Sequence, residues 1–308
     1  MISDRYLVLS GIMGHVVGDA LGLPVEFRER HELMEDPVID MREYGTYNQP
    51  KGTWSDDTAM TLCLMDSLKN GINYYDIMEN FKKWFEKGEY TPHNEAFDIG
   101  NATQRAIVRY ISGSEPLECG GKSYRDNGNG ALMRILPLCY FLKDYELKET
   151  QIIVTNIASL THNHDRSHIA CLIYILIGIN LINGNDLKNS INDSLKKVCE
   201  LYIGNKELSK YSRLMEQNFF SLSINDVKST GYVVDTLEAV IWCLVNTDSY
   251  KSAILKAVNL GDDTDTVGAI TGGLAGIYYG YDAIPEDWVN SLVKKEYLIM
   301  KCENLAKI

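Results

Sequence analysis

Residues 6–21 read Y-L-V-L-S-G-I-M-G-H-V-V-G-D-A-L. Gly11, Gly14 and Gly18 fall at helical spacing in this apolar run, which suits a helix packed closely against a neighbour. The same period dominates the chain on either side. A second helix starts at Ser55 and runs through Met60, Leu64 and Leu68 to a stop near Gly71. Asn73 caps a third, with Ile77, Phe81, Trp84 and Phe85 on one face. Further helices are expected over 96–111, 150–160, 166–182, 186–202, 231–246, 249–259, 265–278 and 286–305. Alternating strand-like runs are almost absent, and neither a low-complexity linker nor a tandem solenoid period interrupts the pattern. The expectation is one all-α domain over residues 1–308, a compact multi-helix bundle.

Composition narrows the function. With 45% hydrophobic and 23% charged residues in 308, the chain has the make-up of a soluble globular protein with ample core material. Its longest apolar stretch, residues 169–182, is short for a bilayer and contains Asn180, so no membrane span is expected. Asp4 and Arg5 precede a brief apolar run without a basic leader, so no signal peptide is expected either. The formal charge of −12 repels phosphate backbones and disfavours general nucleic-acid binding. A small phosphate-bearing ligand stays open, because backbone amides and bound cations supply local positive potential. The seven cysteines are scattered with no C-x-x-C pair, which fits buried thiols in a reducing cytoplasm.

Two acidic clusters carry the chemistry. The first, G-T-W-S-D-D-T-A-M, holds Ser55, Asp56, Asp57 and Thr58; the second, G-D-D-T-D-T-V-G-A-I, holds Asp262, Asp263, Asp265 and Thr266. Each sits where a helix should begin, so each alone reads equally well as helix capping. Together they read differently. Carboxylates leading into apolar, small-residue helices are partly buried, and unpaired buried charge is costly. Lys51 precedes the first cluster, and no cationic residue follows the second until Lys294. A bound cation resolves the repulsion, and an all-oxygen donor set of Asp, Ser and Thr indicates Mg²⁺ or Mn²⁺ rather than zinc. The clusters lie about two hundred residues apart, so the fold must bring two helix N-termini together.

The order of motifs along the chain resembles the ADP-ribosylglycohydrolase family, which includes hydrolases of ADP-ribosylarginine, ADP-ribosylserine and ADP-ribosylated dinitrogenase reductase. The likeness begins at G-D-A-L-G-L-P-V-E-F (residues 18–27) and continues through W-S-D-D-T (54–58), D-I-G-N-A-T (98–103) and N-G-N-G-A-L-M-R (127–134). Thr161 with His162, G-Y-V-V-D-T-L-E-A (231–239) and G-D-D-T-D-T (261–266) complete it. The resemblance implies an orthogonal helical bundle and two divalent cations, Mg²⁺ or Mn²⁺, held by Ser55, Asp56, Asp57, Asp263, Asp265 and Thr266. Ser55 stands where the family often has threonine, and the hydroxyl is kept. Asp262 falls outside the family pattern and is assigned to capping or to support of the ligands.

By the same resemblance, the cations hold the distal ribose hydroxyls and activate water, and Glu26 and Asp98 act as acid and base, with Asp57 counted in the catalytic group. Asp56, the Asn127–Gly128–Asn129–Gly130 loop and His162 would contact substrate, the loop amides suiting a diphosphate. Arg134 and Tyr232 fit packing as well as ligand contact. His164 and His168 share a helical face, but no carboxylate or cysteine pattern completes a zinc site with His162. His15, His31 and His93 read as ordinary surface or core residues. The substrate expected from the resemblance is an ADP-ribosylated protein, arginine-linked, with a serine-linked or small ADP-ribosyl compound such as O-acetyl-ADP-ribose as the alternative. A non-catalytic binder or crystallin-like protein on the same scaffold, and a two-metal phosphoesterase, are the competing classes. Retention of all six ligand positions argues against the first, and the motifs at 18–27 and 127–134 argue against the second.

Overall fold

The glycine stripe decides how the chain packs. In this computed structural model, which describes residues 3–307, the first helix is α1 (Asp4–Gly22). It is followed among the described residues by α2 (Arg30–Glu35), α3 (Asp56–Leu68), α4 (Tyr74–Lys87), α5 (Asn101–Ile111), α6 (Leu138–Phe141) and α7 (Leu147–Ser159). Then come α8 (Asp165–Ile182), α9 (Leu187–Leu201), α10 (Val233–Val245), α11 (Tyr250–Val258), α12 (Thr264–Tyr279), α13 (Glu286–Ser291) and α14 (Lys295–Leu305). The buried apolar side chains form one connected cluster reaching from Val8 to Leu305. The all-α expectation holds: only isolated bridges, and no sheet, occur among the described residues.

The neighbour that α1 packs against is α12, and the two run antiparallel in fixed register. Gly14 lies on Gly272 and Gly18 on Gly268; a Cβ added to them would come within 2.4 and 2.0 Å of the facing carbonyl oxygens. Gly22 meets Thr264 in the same way, at 2.3 Å. Backbone thus touches backbone for three turns, a closeness that any side chain would prevent. This register sets the end of α1 beside the start of α12, so the turn carrying Glu26 adjoins the second acidic cluster.

Asp19, also on α1, fixes the first cluster. Its buried carboxylate accepts from the Ser55 amide at 2.9 and 3.0 Å, from the Thr58 amide at 3.1 Å and from the Thr58 hydroxyl at 2.6 Å. One helix therefore caps another, satisfying N–H groups that the first turn of α3 leaves without partners. Ser55 is the N-cap as expected, accepting from the Asp57 amide, and Asn73 caps α4.

Several boundaries differ from the sequence reading. The helix expected over 96–111 starts at Asn101, because Asp98 adopts a left-handed backbone at φ 57 and ends a loop. The one expected over 286–305 breaks into α13 and α14. There the Val293 amide donates to Gly52 O and its carbonyl accepts from the Trp54 indole, pairing the break with the loop ahead of Ser55. The 127–130 loop leads into turns rather than an apolar helix. Arg134, fully buried over the Phe81 ring, donates to the Gly130 carbonyl, so its role is structural. The length argument against membrane spans also needs correcting: Asp4–Val25 and Asp165–Ile182 are long and apolar enough to cross, yet both are mostly buried inside the protein. The cysteines are all free and six are buried, as expected.

Candidate active site

Three loops converge where α1 ends and α3 and α12 begin. The Glu26–Phe27 turn is clamped to the second cluster: the Phe27 amide donates to Asp262 O at 2.7 Å, and the Asp262 amide returns to Arg28 O at 3.0 Å. The 127–130 loop is clamped by the segment before α10, with the Asn129 amide donating to Gly231 O and the Val233 amide to Asn127 O, each at 3.0 Å. The two acidic clusters meet directly: the Thr266 hydroxyl donates to Asp57 Oδ2 at 3.1 Å, across 209 residues of sequence. Between these pieces lies a cavity of about 360 Å³ lined by Glu26, Asp56, Asp98, Asp263 and Thr266, by the 128–130 loop, and by His162.

Its electrostatics are one-sided. No lysine or arginine lines the cavity among the described residues. Without a counter-cation, burial pushes the Glu26 carboxyl up to about 10, helped by the charges of Asp98 and Asp263. Burial likewise raises Asp56, Asp57 and Asp265 well above the usual carboxylate range, with Asp98, Asp19 and Glu26 respectively adding the largest repulsion. Asp19 is raised by burial to about 7, against the pull of its hydrogen bonds. Glu26 Oε2, Asp57 Oδ1 and both Asp265 oxygens are buried with no hydrogen-bond partner. Glu26, Asp263 and Asp265 can each offer one oxygen, all within 4.8 Å of one another. Orphaned carboxylate oxygens converging in this way fit a hard divalent cation, which would supply the missing positive charge.

The chain as a whole matches the family model described as ADP-ribosylglycohydrolase, over residues 2–307. It belongs to the ADP-ribosylglycohydrolase family. It is 33% identical to the ADP-ribosylarginine hydrolase Tri1 of Serratia proteamaculans, covering 96% of this chain and 77% of that one. Identity is also 33% with the ADP-ribosyl-[dinitrogen reductase] glycohydrolase of Rhodospirillum rubrum, covering 96% and 92%. A solved structure titled ADP-ribosylglycohydrolase-related protein complex superposes with a TM-score of 0.80 at 29% identity, covering 99% of this chain and 98% of that one. The protein is thus an enzyme, a glycosidic-bond hydrolase of this family.

For this ADP-ribosylglycohydrolase, the residues singled out in the sequence fall into three groups. Glu26, Asp56, Asp98, Gly128, Asn129, Gly130, His162, Asp263 and Thr266 line the cavity; Ser55, Asp57 and Asp265 are buried and do not line its open part. Asn127 stands apart, its side-chain Nδ2 donating to Tyr124 O and its side-chain Oδ1 accepting from the Ser167 hydroxyl. Asn129 does two jobs. Its backbone amide is taken by Gly231, so it is not free for a diphosphate, while its side chain donates to Asp263 Oδ2 at 2.8 Å and to Thr236. Asp262 does not cap α12: it is exposed, at φ 59, and acts through its backbone clamp on residues 27–28.

The three histidines that hinted at zinc are separated in role. His162 lines the cavity against Thr161, and burial lowers it to about 3, so it is neutral. His164 caps α8, and His168 pairs with Ser159 and Asp165. Asp19 and Phe27 stood inside the 18–27 motif without a role assigned, and Tyr47 went unread in the sequence. Asp19 could have been found, since an acid beside Gly18 on the glycine stripe has no apolar reason to be there. Phe27 and Tyr47 belong to turns whose shape no spacing rule foretells.

Proposed function

We propose that this enzyme removes ADP-ribose from arginine side chains of a modified protein, in the cytoplasm, with two divalent cations, Mg²⁺ or Mn²⁺, as cofactors. The single observation that carries the linkage is the absence of any lysine or arginine among the described residues lining a cavity rich in carboxylates. Even with two divalent cations bound, the six carboxylates of Glu26, Asp56, Asp57, Asp98, Asp263 and Asp265 outnumber the positive charge. That favours a leaving group that is itself cationic, and the guanidinium of arginine is one. The relatives named for ADP-ribosylarginine and for dinitrogen reductase point the same way.

The whole chain acts as one unit in this reading. Ser55, Asp56, Asp57, Asp263, Asp265 and Thr266 hold the cations, and Glu26 joins them through its nearness to Asp263 and Asp265. When bound, the cations polarise water and ribose hydroxyls and balance the buried carboxylates. Asp98 stands outside the Glu26–Asp263–Asp265 group, so of the two acid–base residues it is the one this reading assigns to take a proton from the attacking water. Asn129 holds Asp263 by its hydrogen bond. Neutral His162, between the 128–130 loop and Thr161, offers a hydrogen bond to substrate without adding charge.

Purified protein incubated with ADP-ribosyl-arginine and ADP-ribosyl-serine peptides, in Mg²⁺, Mn²⁺ or chelator, tests the proposal by release of ADP-ribose. Release from the arginine peptide is expected to exceed that from the serine peptide at least about tenfold, and to fall on the order of 10²-fold or more in chelator. Preference for the serine peptide would overturn the linkage. Binding of ADP-ribose without release from either peptide would make this a non-catalytic binder or a hydrolase of a small ADP-ribosyl compound.

A further inference from the structure

We infer that the Tyr47 hydroxyl is the positioning group for Asp98, holding its carboxylate at the cavity wall in the orientation proton transfer needs. This rests on the reading of Asp98 given above. Among the described residues, Tyr47 is the one hydrogen-bond donor on the Asp98 side chain. Asp98 gets no help from regular structure: it sits in the loop between α4 and α5, at φ 57, where a residue with a side chain is strained. Its neighbour Phe97 packs on the Tyr47 ring, centroids 5.5 Å apart, so ring and hydroxyl together dock this loop.

Tyr47 in turn is held by a turn of unusual geometry. Tyr44, Gly45 and Asn48 all have positive φ, and Tyr44 and Gln49 exchange backbone hydrogen bonds of 2.6 and 3.3 Å. Gly45 presses so closely on Pro24 that a Cβ there would lie 1.9 Å from the Pro24 carbonyl. The Thr46 hydroxyl donates to Glu26 O at 2.7 Å. One short turn therefore fixes the backbone of Glu26 on one side and the carboxylate of Asp98 on the other. Left-handed strain in both Tyr44 and Asp98, tied together by one phenol, is the kind of arrangement that persists where placement of a side chain is what the site requires.

Tyr47→Phe tests this, because it removes the hydroxyl and keeps the ring on Phe97. With the arginine-linked peptide, kcat is expected to fall about 10- to 100-fold with KM changed less than about threefold, the mark of an interaction used in the chemical step. Asp98→Asn should fall further, and Tyr47→Phe added to it should cost clearly less than it does alone, since the phenol then has no base to position and keeps only the Glu26 carboxyl within reach. A kcat within twofold of wild type, or losses that multiply in the double variant, would overturn the inference. Crystal structures of wild type and Tyr47→Phe read the Asp98 side chain without any assay: it should leave its wild-type orientation in the variant, and an unmoved carboxylate sinks the idea. Should the wild type release nothing from either peptide, the proposed reaction fails on that result, while the crystal structures still decide the role of Tyr47.

Discussion

Asp265→Asn is expected to make the metal-free protein more heat-stable while nearly abolishing its activity. The two halves of that result have one cause. Asp265 is buried at the start of α12, and neither of its carboxylate oxygens has a hydrogen-bond partner. Burial raises it well above the usual carboxylate range, and Glu26, Asp98, Asp57 and Asp263 all push the same way. For such a group the folded state binds the proton more tightly than the unfolded one. Stability of the metal-free protein therefore declines as pH rises above the unfolded value of about 3.9, and Glu26, at about 10, extends that decline through neutral pH. Asparagine keeps the shape and deletes the ionisation. In chelator at pH 8 the variant should unfold a few degrees higher than wild type, with a flatter dependence of Tm on pH. In saturating Mg²⁺ or Mn²⁺ the order should reverse, because cation binding stabilises the wild type by mass action and the variant has lost a charged ligand. Release of ADP-ribose should drop on the order of 10³-fold, the scale of losing several kcal/mol of charge stabilisation. A variant less stable than wild type in chelator would mean that Asp265 has a protein partner and that the carboxylates are not arranged around a cation.

How much of this was legible beforehand depends on the range of the interaction involved. Helices with a clear apolar face or a cap announced themselves: Asn73 and Ser55 both cap where the sequence said they should, because capping is decided within four residues. The glycine stripe told that α1 has a close neighbour but not which one. Gly268, Gly272 and Gly276 on α12 carry the matching stripe, and their pairing with Gly18, Gly14 and Ser10 appears only in three dimensions. Errors gathered where distant segments override local preference. Residues 96–100 fall inside the expected helix, yet Asp98 lies in a left-handed loop with its carboxylate bonded to Tyr47. Residues 286–305 break into two helices where Val293 pairs with Gly52 and Trp54. At the site, the acidic residues were visible because unpaired carboxylates in apolar surroundings are conspicuous in any sequence. Their supporting contacts were not, since Asn129 bonding to Asp263 and Thr266 bonding to Asp57 both span more than a hundred residues.

The same long-range pairing makes Gly18→Ala one of the most damaging single changes available. A methyl group at this position would lie 2.0 Å from Gly268 O, 2.4 Å from its carbonyl carbon and 2.9 Å from Ala269 N. All three are backbone atoms, so no side chain can rotate aside, and Gly268 offers nothing to shorten. The helices must part. Alanine brings back about 1 kcal/mol of helix propensity, but forced overpacking of a tight interface costs about 1–3 kcal/mol and here more, because the strain falls on two backbones. A net loss of about 2–3 kcal/mol in denaturant unfolding is expected. Gly100→Ala, which meets nothing within 4 Å, should cost no more than about 1 kcal/mol as a weaker N-cap. Activity should fall with stability, for parting α1 from α12 draws the Glu26 turn away from Asp263 and Asp265 and moves Asp19 off the start of α3. If Gly18→Ala unfolds at the wild-type denaturant concentration, the two helices are not in backbone contact at residues 18 and 268. The link from the glycine stripe to the meeting of the acidic clusters would then have to be abandoned.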